Sequence, residues 1–242
     1  MTENAFEAIS GSGPVLFLCD HAANALPPGG LGLDPALLST HIAYDIGAAQ
    51  VTRALARAYG APALLGVWSR LLIDLNRGTD DPTLVMKLSD GSIIPGNRIA
   101  DAAEVARRVE AFHAPYHAAI DAELERIGPG AVLISMHSFT PAWKGRPRPW
   151  QVGVLYDRDT RLAGPLMARL AQAGFTVGDN EPYSGALEGD TLWRHGTMRG
   201  LPHVLIEMRQ DLIGTDDEAQ AFAVRLKPVI DAALNDMHSQ AG

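Results

Sequence analysis

The sequence predicts an α/β protein built on a doubly wound, mostly parallel sheet with helices on both faces. Three observations carry that expectation. Short apolar runs are bounded by Gly and Pro; longer segments between them have helical spacing; and the two kinds alternate along the 242 residues.

In chain order, the first strand is Pro14-Val15-Leu16-Phe17-Leu18-Cys19, which runs into Asp20-His21. Residues 25–32 hold too many Pro and Gly for a helix or a central strand and read as a loop beside His21. Pro35 opens a short helix. From 41 to 59, Ile42, Ile46, Ala49, Val51, Leu55 and Ala58 recur at helical spacing, Gly60 is the stop, and His41 and Asp45 share a face. Residues 61–67 form the next strand, and 69–78 exposes Asp74, Asn76 and Arg77 in a loop. The stretch 80–97 is an irregular excursion with a hairpin-type turn at Asp90-Gly91.

A long helix is expected over 101–127, capped by Asp101, burying Ala106, Val109, Phe112, Tyr116, Ile120 and Leu124, and kinked or interrupted at Pro115. A buried strand follows Gly128-Pro129-Gly130 and stops abruptly at His137-Ser138. Residues 141–149 are a basic, proline-rich loop with Trp143, Lys144, Arg146 and Arg148, Trp150 lying just beyond. A strand over 151–156, a helix over 161–172, an edge strand over 175–177, a short helix from 191 to 194, a last strand over 202–209 and a closing helix over 218–237 complete the chain. With no internal repeat, the whole of 1–242 reads as a single domain.

Composition narrows the functional classes. Apolar residues at 47% and charged residues at 20% belong to a globular chain with a sizeable core. A net charge of −8 argues against a nucleic-acid phosphate track, while leaving room for a local basic pocket that takes an acidic small molecule. A lone Cys19 forms no internal disulfide, which fits a reducing cytoplasm. Residues 1–13 lack the basic start and apolar core of a signal peptide, and no apolar run approaches the length of a membrane span.

Strand ends of open α/β sheets meet ligand-binding crevices, so the strands that deliver His21 and His137 to one rim suggest a metal site. A catalytic zinc takes three ligands from His, Asp and Glu and keeps one position open. Oxygen donors for the third place are Asp20, Asn24, Asp45 and Asp74; Asp45 is preferred, because an amide is a poor zinc ligand and Asp20 would have to turn back beside His21. The plainer reading of both histidines is a hydrogen-bonded strand end. Glu207, at the end of the last strand, suits a general base, against the plainer reading of a salt bridge to Arg209. Asn76 and Arg77 join an amide to a guanidinium, a pairing that matches a carboxylate, with Arg70 one strand-length earlier; seen alone, Asn-Arg-Gly is a capped turn. Cys19 reads as a small inert core residue. His113 and His117 have helical spacing without the Glu of the protease motif and read as surface or half-buried helix residues. His41 is a partner of the metal ligands or a simple helix residue, and His195 either polarises a carbonyl or caps a loop. The loop from Trp143 to Trp150 is either a lid or solvated.

Cys-Asp-His-Ala-Ala-Asn (19–24), His-Ile-Ala-Tyr-Asp-Ile-Gly (41–47), Ser-Arg-Leu-Leu-Ile-Asp-Leu-Asn-Arg (69–77), Met-His-Ser (136–138) and Ile-Glu-Met-Arg-Gln-Asp-Leu (206–212) together resemble the N-formylglutamate amidohydrolase family. That family is similar in fold to the zinc carboxypeptidases and aspartoacylase-like deacylases. The resemblance therefore implies a three-layer αβα sandwich and one Zn2+ per chain. It also implies His21 and His137 as ligands, Asn76 and Arg77 on a substrate carboxylate, and Glu207 as general base and acid. One departure stands out: His21-x-x-Asn24 lacks the acid of the carboxypeptidase His-x-x-Glu pair, so the third ligand rests on Asp45. The activity expected is hydrolysis of the N-formyl or N-acyl amide of an acidic amino acid, with Arg70, Arg209 or His195 stabilising the oxyanion. The alternatives are a zinc hydrolase of another small amide or peptide, and an idle carboxylate-binding homologue.

Overall fold

The computed structural model describes residues 4–240. Its centre is a seven-stranded sheet in the order β1-β3-β2-β6-β11-β9-β10. In chain order the strands and helices are β1 (Phe6–Ile9), β2 (Val15–Cys19), α1 (Ala48–Tyr59), β3 (Ala63–Gly66), β4 (Leu88–Ser89), β5 (Ser92–Ile93), α2 (Pro95–Arg98), α3 (Ala102–Arg108), α4 (Ala114–Ile127), β6 (Val132–Phe139), β7 (Ala142–Trp143), β8 (Arg146–Pro147), β9 (Val152–Leu155), α5 (Ala163–Gln172), β10 (Val177–Asp179), α6 (Thr191–His195), β11 (His203–Arg209) and α7 (Asp216–Gln240). The pairings β1/β3 and β11/β9 are antiparallel and the rest of the large sheet is parallel. Among the described residues no helix is long and apolar enough to cross a membrane.

The central strands are buried on both faces, which is why they read as unbroken apolar runs. Alternation along each strand then sorts side chains between two layers. Phe17, Ile134 and Ile206 pack with α1, α5 and α7, whereas Leu16, Leu18, Leu133 and Leu205 pack with Tyr116, Ile120 and Leu124 of α4. Each such side chain contributes about 1.5–3 kcal/mol on full burial. A third apolar cluster, with Trp68, Leu71, Ile73, Leu84, Ile94 and Phe112, fills the excursion between β3 and α3.

Several expectations are corrected. The chain has an additional edge strand, β1, which its short, half-exposed sequence did not signal. Residues 41–47 are turns rather than helix: α1 starts at Ala48, behind Gly47 at φ +80°, where a Cβ would stand 2.2 Å from the Ile213 carbonyl oxygen. His41 and Asp45 therefore share no helical face. The segment 69–78 does not expose Asp74 and Asn76, which are 0% and 8% exposed, while Arg77 is half-buried. The long helix is interrupted as expected, but by a wide turn over Val109–His113 that closes with the Ala114 N–H on the Val109 carbonyl, just before Pro115, which has no N–H to give. Ala106 faces solvent and Arg108 is buried instead, bonded to the Leu72 carbonyl and Asn97. The loop after residue 140 is a small hairpin, β7 with β8. The strand expected to end at His137 runs on to Phe139, so His137 and Ser138 lie within it.

From β2 the chain crosses to β3 on one side, and from β3 it crosses back to β6 on the other. The sheet's switch point thus falls between β2 and β6, whose carboxyl ends carry His21 and His137. Such a crevice collects ligands in open α/β sheets.

Candidate active site

Parallel pairing places His137 of β6 directly beside Glu207 of β11, so both side chains leave the same face about 4.8 Å apart along the ladder. Ser135 projects from that face one pleat earlier, and from the end of β2 Asp20 does the same. His21 follows β2, and Asp45 is brought opposite by the turn before α1, where its N–H donates to the His21 carbonyl at 2.9 Å. One ligating atom each from His21, Asp45 and His137 lies within 4.8 Å of the other two, and all three residues are buried. The Nδ1 atoms of the rings face Asp45 Oδ2, at 3.4 Å for His21 and 2.8 Å for His137.

The opposite ring nitrogens are also held by carboxylates. His21 Nε2 lies 2.7 Å from Asp74 Oδ1 and His137 Nε2 lies 3.0 Å from Asp20 Oδ2. Asp74 also accepts from Arg70 Nη2 and from the Asn76 N–H, and Asp20 from the hydroxyls of Ser135 and Thr191. A ligating imidazole characteristically gives its far N–H to a carboxylate, which fixes its tautomer and leaves the near nitrogen for the ion. Asp20 and Asp74 are therefore placed as orienting groups, while Asn24 is withdrawn, its amide donating to the Leu38 carbonyl. Two nitrogens and one carboxylate oxygen, each ring aimed by its own buried acid, fit a divalent ion such as zinc.

The electrostatics agree with that fit. Burial opposes the charged form of Asp45, yet His21 and His137 hold it far below the usual carboxylate range. Asp20 is likewise opposed by burial and held at about 2, chiefly by His137. Asp74 lies well below its ordinary value because Arg70 and His21 outweigh burial. In the other direction, His137 is raised by its two carboxylates against burial. The buried acids thus give the centre an excess of negative charge that a bound cation would neutralise.

Glu207 differs from these acids. Burial lifts it to about 7, with Asp45 adding to the rise and His137, Arg70 and His21 opposing it. Its Oε2 is buried without a hydrogen-bond partner, and no salt bridge to Arg209 forms. Room for the side chain comes from Gly153, its partner across the antiparallel ladder to β9, where a Cβ would stand 3.2 Å from that of Glu207 and 2.1 Å from the Glu181 carbonyl oxygen.

These groups line a cleft of about 310 Å³ that also takes in Asn76, Arg77, Asp190, Phe139, Trp143, Tyr183 and Leu205. Asn76 Oδ1 accepts the Thr191 N–H at 3.0 Å, which turns the amide so that its NH2 is the free end. Arg77 bonds its own neighbour's carbonyl through Nη1 and Thr83 through Nε, and neither bond uses Nη2. Arg70 lines the cleft but spends its guanidinium on Asp74 and Asp45. Two expected residues do not reach the cleft. Arg209 faces the carbonyls of Arg148, Pro149 and Trp150 and pairs with Asp211. His195 is fully buried against His117. His113 and His117 are not surface residues either, each being 2% exposed. His41 stands at the rim, 3.3 Å from Asp90.

Asp190 and Tyr183 escaped the sequence reading. Asp190 caps α6 by accepting the Trp193 N–H, and burial raises its carboxyl to about 6, with Asp20 adding to the rise. An Asp-Thr pair before an apolar residue signals such a cap, but nothing local signals that the cap also lines the cleft. Tyr183 lies in a bend with no pattern of its own.

A sequence model of the family described as N-formylglutamate amidohydrolase matches residues 13–214. Among solved structures, that of a gene product from Agrobacterium tumefaciens is 35% identical, with 98% of this chain and 97% of that one covered and a TM-score of 0.92. The structure of N-formylglutamate amidohydrolase from Ralstonia eutropha JMP134 is 21% identical over 95% of this chain and 98% of that one, with a TM-score of 0.68. A bacteriophage poly-gamma-glutamate hydrolase, 9% identical over 97% and 89% of the two chains, has a TM-score of 0.52. At such identities the latter two likenesses concern the fold. No curated protein matches the chain.

Proposed function

Because the chain belongs to the N-formylglutamate amidohydrolase family and is a hydrolase of amide C–N bonds, we propose that it removes the N-formyl or N-acyl group of an acidic amino acid such as glutamate, using one zinc ion. The observation that carries this reading is the pair of imidazoles converging on Asp45, each turned by its own buried carboxylate, with the unpartnered Glu207 oxygen in the same cleft. His21, Asp45 and His137 would hold the ion, which supplies Lewis-acid polarisation of the amide carbonyl and a water acidified to a pKa of about 7.

The remaining steps belong to the chain's own groups. Glu207 takes the proton of the attacking water at its free oxygen and passes it to the leaving amine nitrogen. A carboxyl poised near 7 can do both, since it is neither too weak to accept nor too strong to return the proton. Arg77 and the Asn76 amide anchor the substrate carboxylate, which sets the scissile amide beside Glu207. Arg70 keeps Asp45 and Asp74 in place and, lining the cleft, would add positive charge for a developing oxyanion. The buried, lone Cys19 fits a reducing compartment, and cytoplasmic residence is part of the same proposal.

The test is turnover of N-formylglutamate and of a panel of N-acyl amino acids by the purified protein. Chelation is expected to abolish it, zinc to restore it, and Glu207→Gln to lower kcat by about 10²–10⁴-fold with the metal retained. Unchanged turnover after chelation, or after Glu207→Gln, overturns the mechanism.

A further inference from the structure

The scheme above leaves out three buried imidazoles, those of His113, His117 and His195. They form a column beneath the segment that carries Asn76 and Arg77. The rings of His113 and His117 lie 4.2 Å apart, and those of His117 and His195 stack at 5.1 Å with an interplanar angle of 14°. His117 Nε2 is 3.0 Å from the Leu75 carbonyl oxygen, and His113 Nε2 is 2.9 Å from that of Arg77. The two carbonyls so engaged are the ones on either side of Asn76.

Donor and acceptor logic fixes the protons. A carbonyl only accepts, so both Nε2 atoms carry hydrogen. A neutral His117 then presents Nδ1 as an acceptor, and His195 Nε2, 2.8 Å away, must donate to it. His195 Nδ1 lies 2.9 Å from Asp121 Oδ1 with no well-aligned hydrogen bond between them. Arg199 Nη2 answers the Asp121 charge at 2.6 Å. Burial keeps the column neutral: it lowers His113, lowers His117 well below its ordinary value, and brings His195 down to about 4.

The other polar groups of the segment are already tied. The Asn76 N–H goes to Asp74, and the Asn76 carbonyl to Arg77 Nη1. Thr191 offers a second donor to the Leu75 carbonyl at 3.3 Å, but its single hydroxyl hydrogen is also claimed by Asp20 at 3.0 Å. His117 is therefore the dependable partner of that carbonyl, and His113 of the next but one. A buried carbonyl deprived of its donor would turn the peptide toward water, and with it the side chains on either side.

We propose that His113 and His117 are positioning residues, a pair of N–H donors that clamp the Leu75 and Arg77 carbonyls and so aim the Asn76 amide and Arg77 guanidinium at the substrate carboxylate, while His195 fixes the tautomer of His117. The inference rests on the reading of Asn76 and Arg77 as the carboxylate anchor. It adds a group of histidines that touch neither substrate nor metal, yet set how tightly the substrate is held.

His113→Leu and His117→Leu remove the donors, and His113→Gln and His117→Gln return an amide N–H at similar reach. With N-formylglutamate as substrate, each Leu variant is expected to raise KM by about tenfold, the loss of one or two well-aimed hydrogen bonds, with kcat within about threefold, as befits lost uniform binding, and zinc content unchanged. The Gln variants are expected to recover most of the loss. Nitrogen-15 spectra of histidine-labelled wild-type protein should show His113, His117 and His195 as neutral Nε2–H tautomers. A fall in kcat at unchanged KM, loss of zinc, Gln variants no better than Leu, or an Nδ1–H tautomer at His117 overturns the proposal. If the Leu variants do not fold, the tautomers and the Gln variants decide it. If the wild-type protein hydrolyses no N-acyl amino acid, the functional reading fails while the tautomers still judge the clamp.

Discussion

Replacing Asp74 by Asn separates the job of holding an ion from the job of aiming its ligands. Asp74 is fully buried and receives His21 Nε2 at 2.7 Å, Arg70 Nη2 at 2.9 Å and the Asn76 N–H at 3.0 Å. Asparagine keeps the shape but offers one acceptor oxygen, and its NH2 must then face a donor, either the Arg70 guanidinium or the side shared by His21 and Asn76. The ring of His21 loses the charge that keeps hydrogen on Nε2 and Nδ1 free to bind. Carboxylates in this outer position are worth about 10–100-fold in metal affinity, equivalent to about 1.4–2.7 kcal/mol. Competition against a chromogenic zinc chelator measures the change, and a thermal melt of the chelated protein separates it from loss of fold. Asp20→Asn, acting on His137 through a bond of 3.0 Å, is expected to weaken zinc in the same sense. Affinity within twofold of the unsubstituted protein for Asp74→Asn would refute the assignment of His21 as a ligand through Nδ1, and the same result for Asp20→Asn that of His137.

Three further outcomes follow from the geometry. Asp190→Asn preserves the helix cap but removes a carboxyl whose pKa is raised from 3.8 to about 6; a raised acid favours the fold only while protonated, so the variant should match wild type below about pH 4 and gain up to about 3 kcal/mol by pH 8, read from denaturant melts at the two pH values. Arg209→Ala should leave KM within about twofold, because the guanidinium serves the carbonyls of 148–150; a tenfold rise would return Arg209 to the substrate site. Gly47→Ala, which places a methyl 2.2 Å from the Ile213 carbonyl at φ +80°, should cost at least about 1 kcal/mol of stability and weaken zinc through Asp45, both absent if the turn before α1 is slack.

The parts of the site that sit on strands were legible in the sequence, because a buried parallel strand announces itself as an apolar run and its first polar residues mark the rim. The apolar runs put His21, His137 and Glu207 at the rim in that way, and all three line one cleft. The parts that depend on loops were misjudged for one physical reason. Polar residues between regular elements read as solvated, but the excursion after β3 has an apolar cluster of its own, and Trp68, Leu71, Ile73 and Leu84 draw Asp74 and Asn76 inside with them. The helical spacing that begins at Ile42 has the same origin: that side chain serves the cluster and not a helix face, and turns stand there. The column of His113, His117 and His195 was out of reach for a different reason, since each ring's partner lies between 36 and 78 residues away in the chain.

The adjacency of His137 and Glu207 on neighbouring strands has a bearing on how such a catalyst can change. Their spacing is quantised by the pleat. Moving either group one place along its strand sends it to the opposite face of the sheet, among the packed side chains under α1 and α7, and moving it two places carries it about 6.6 Å along the strand. No gradual drift of the His137 imidazole from the Glu207 carboxyl is open to this architecture. Variation in what the enzyme accepts must instead come from the loops and hairpins around the rim, where insertions leave the ladder untouched.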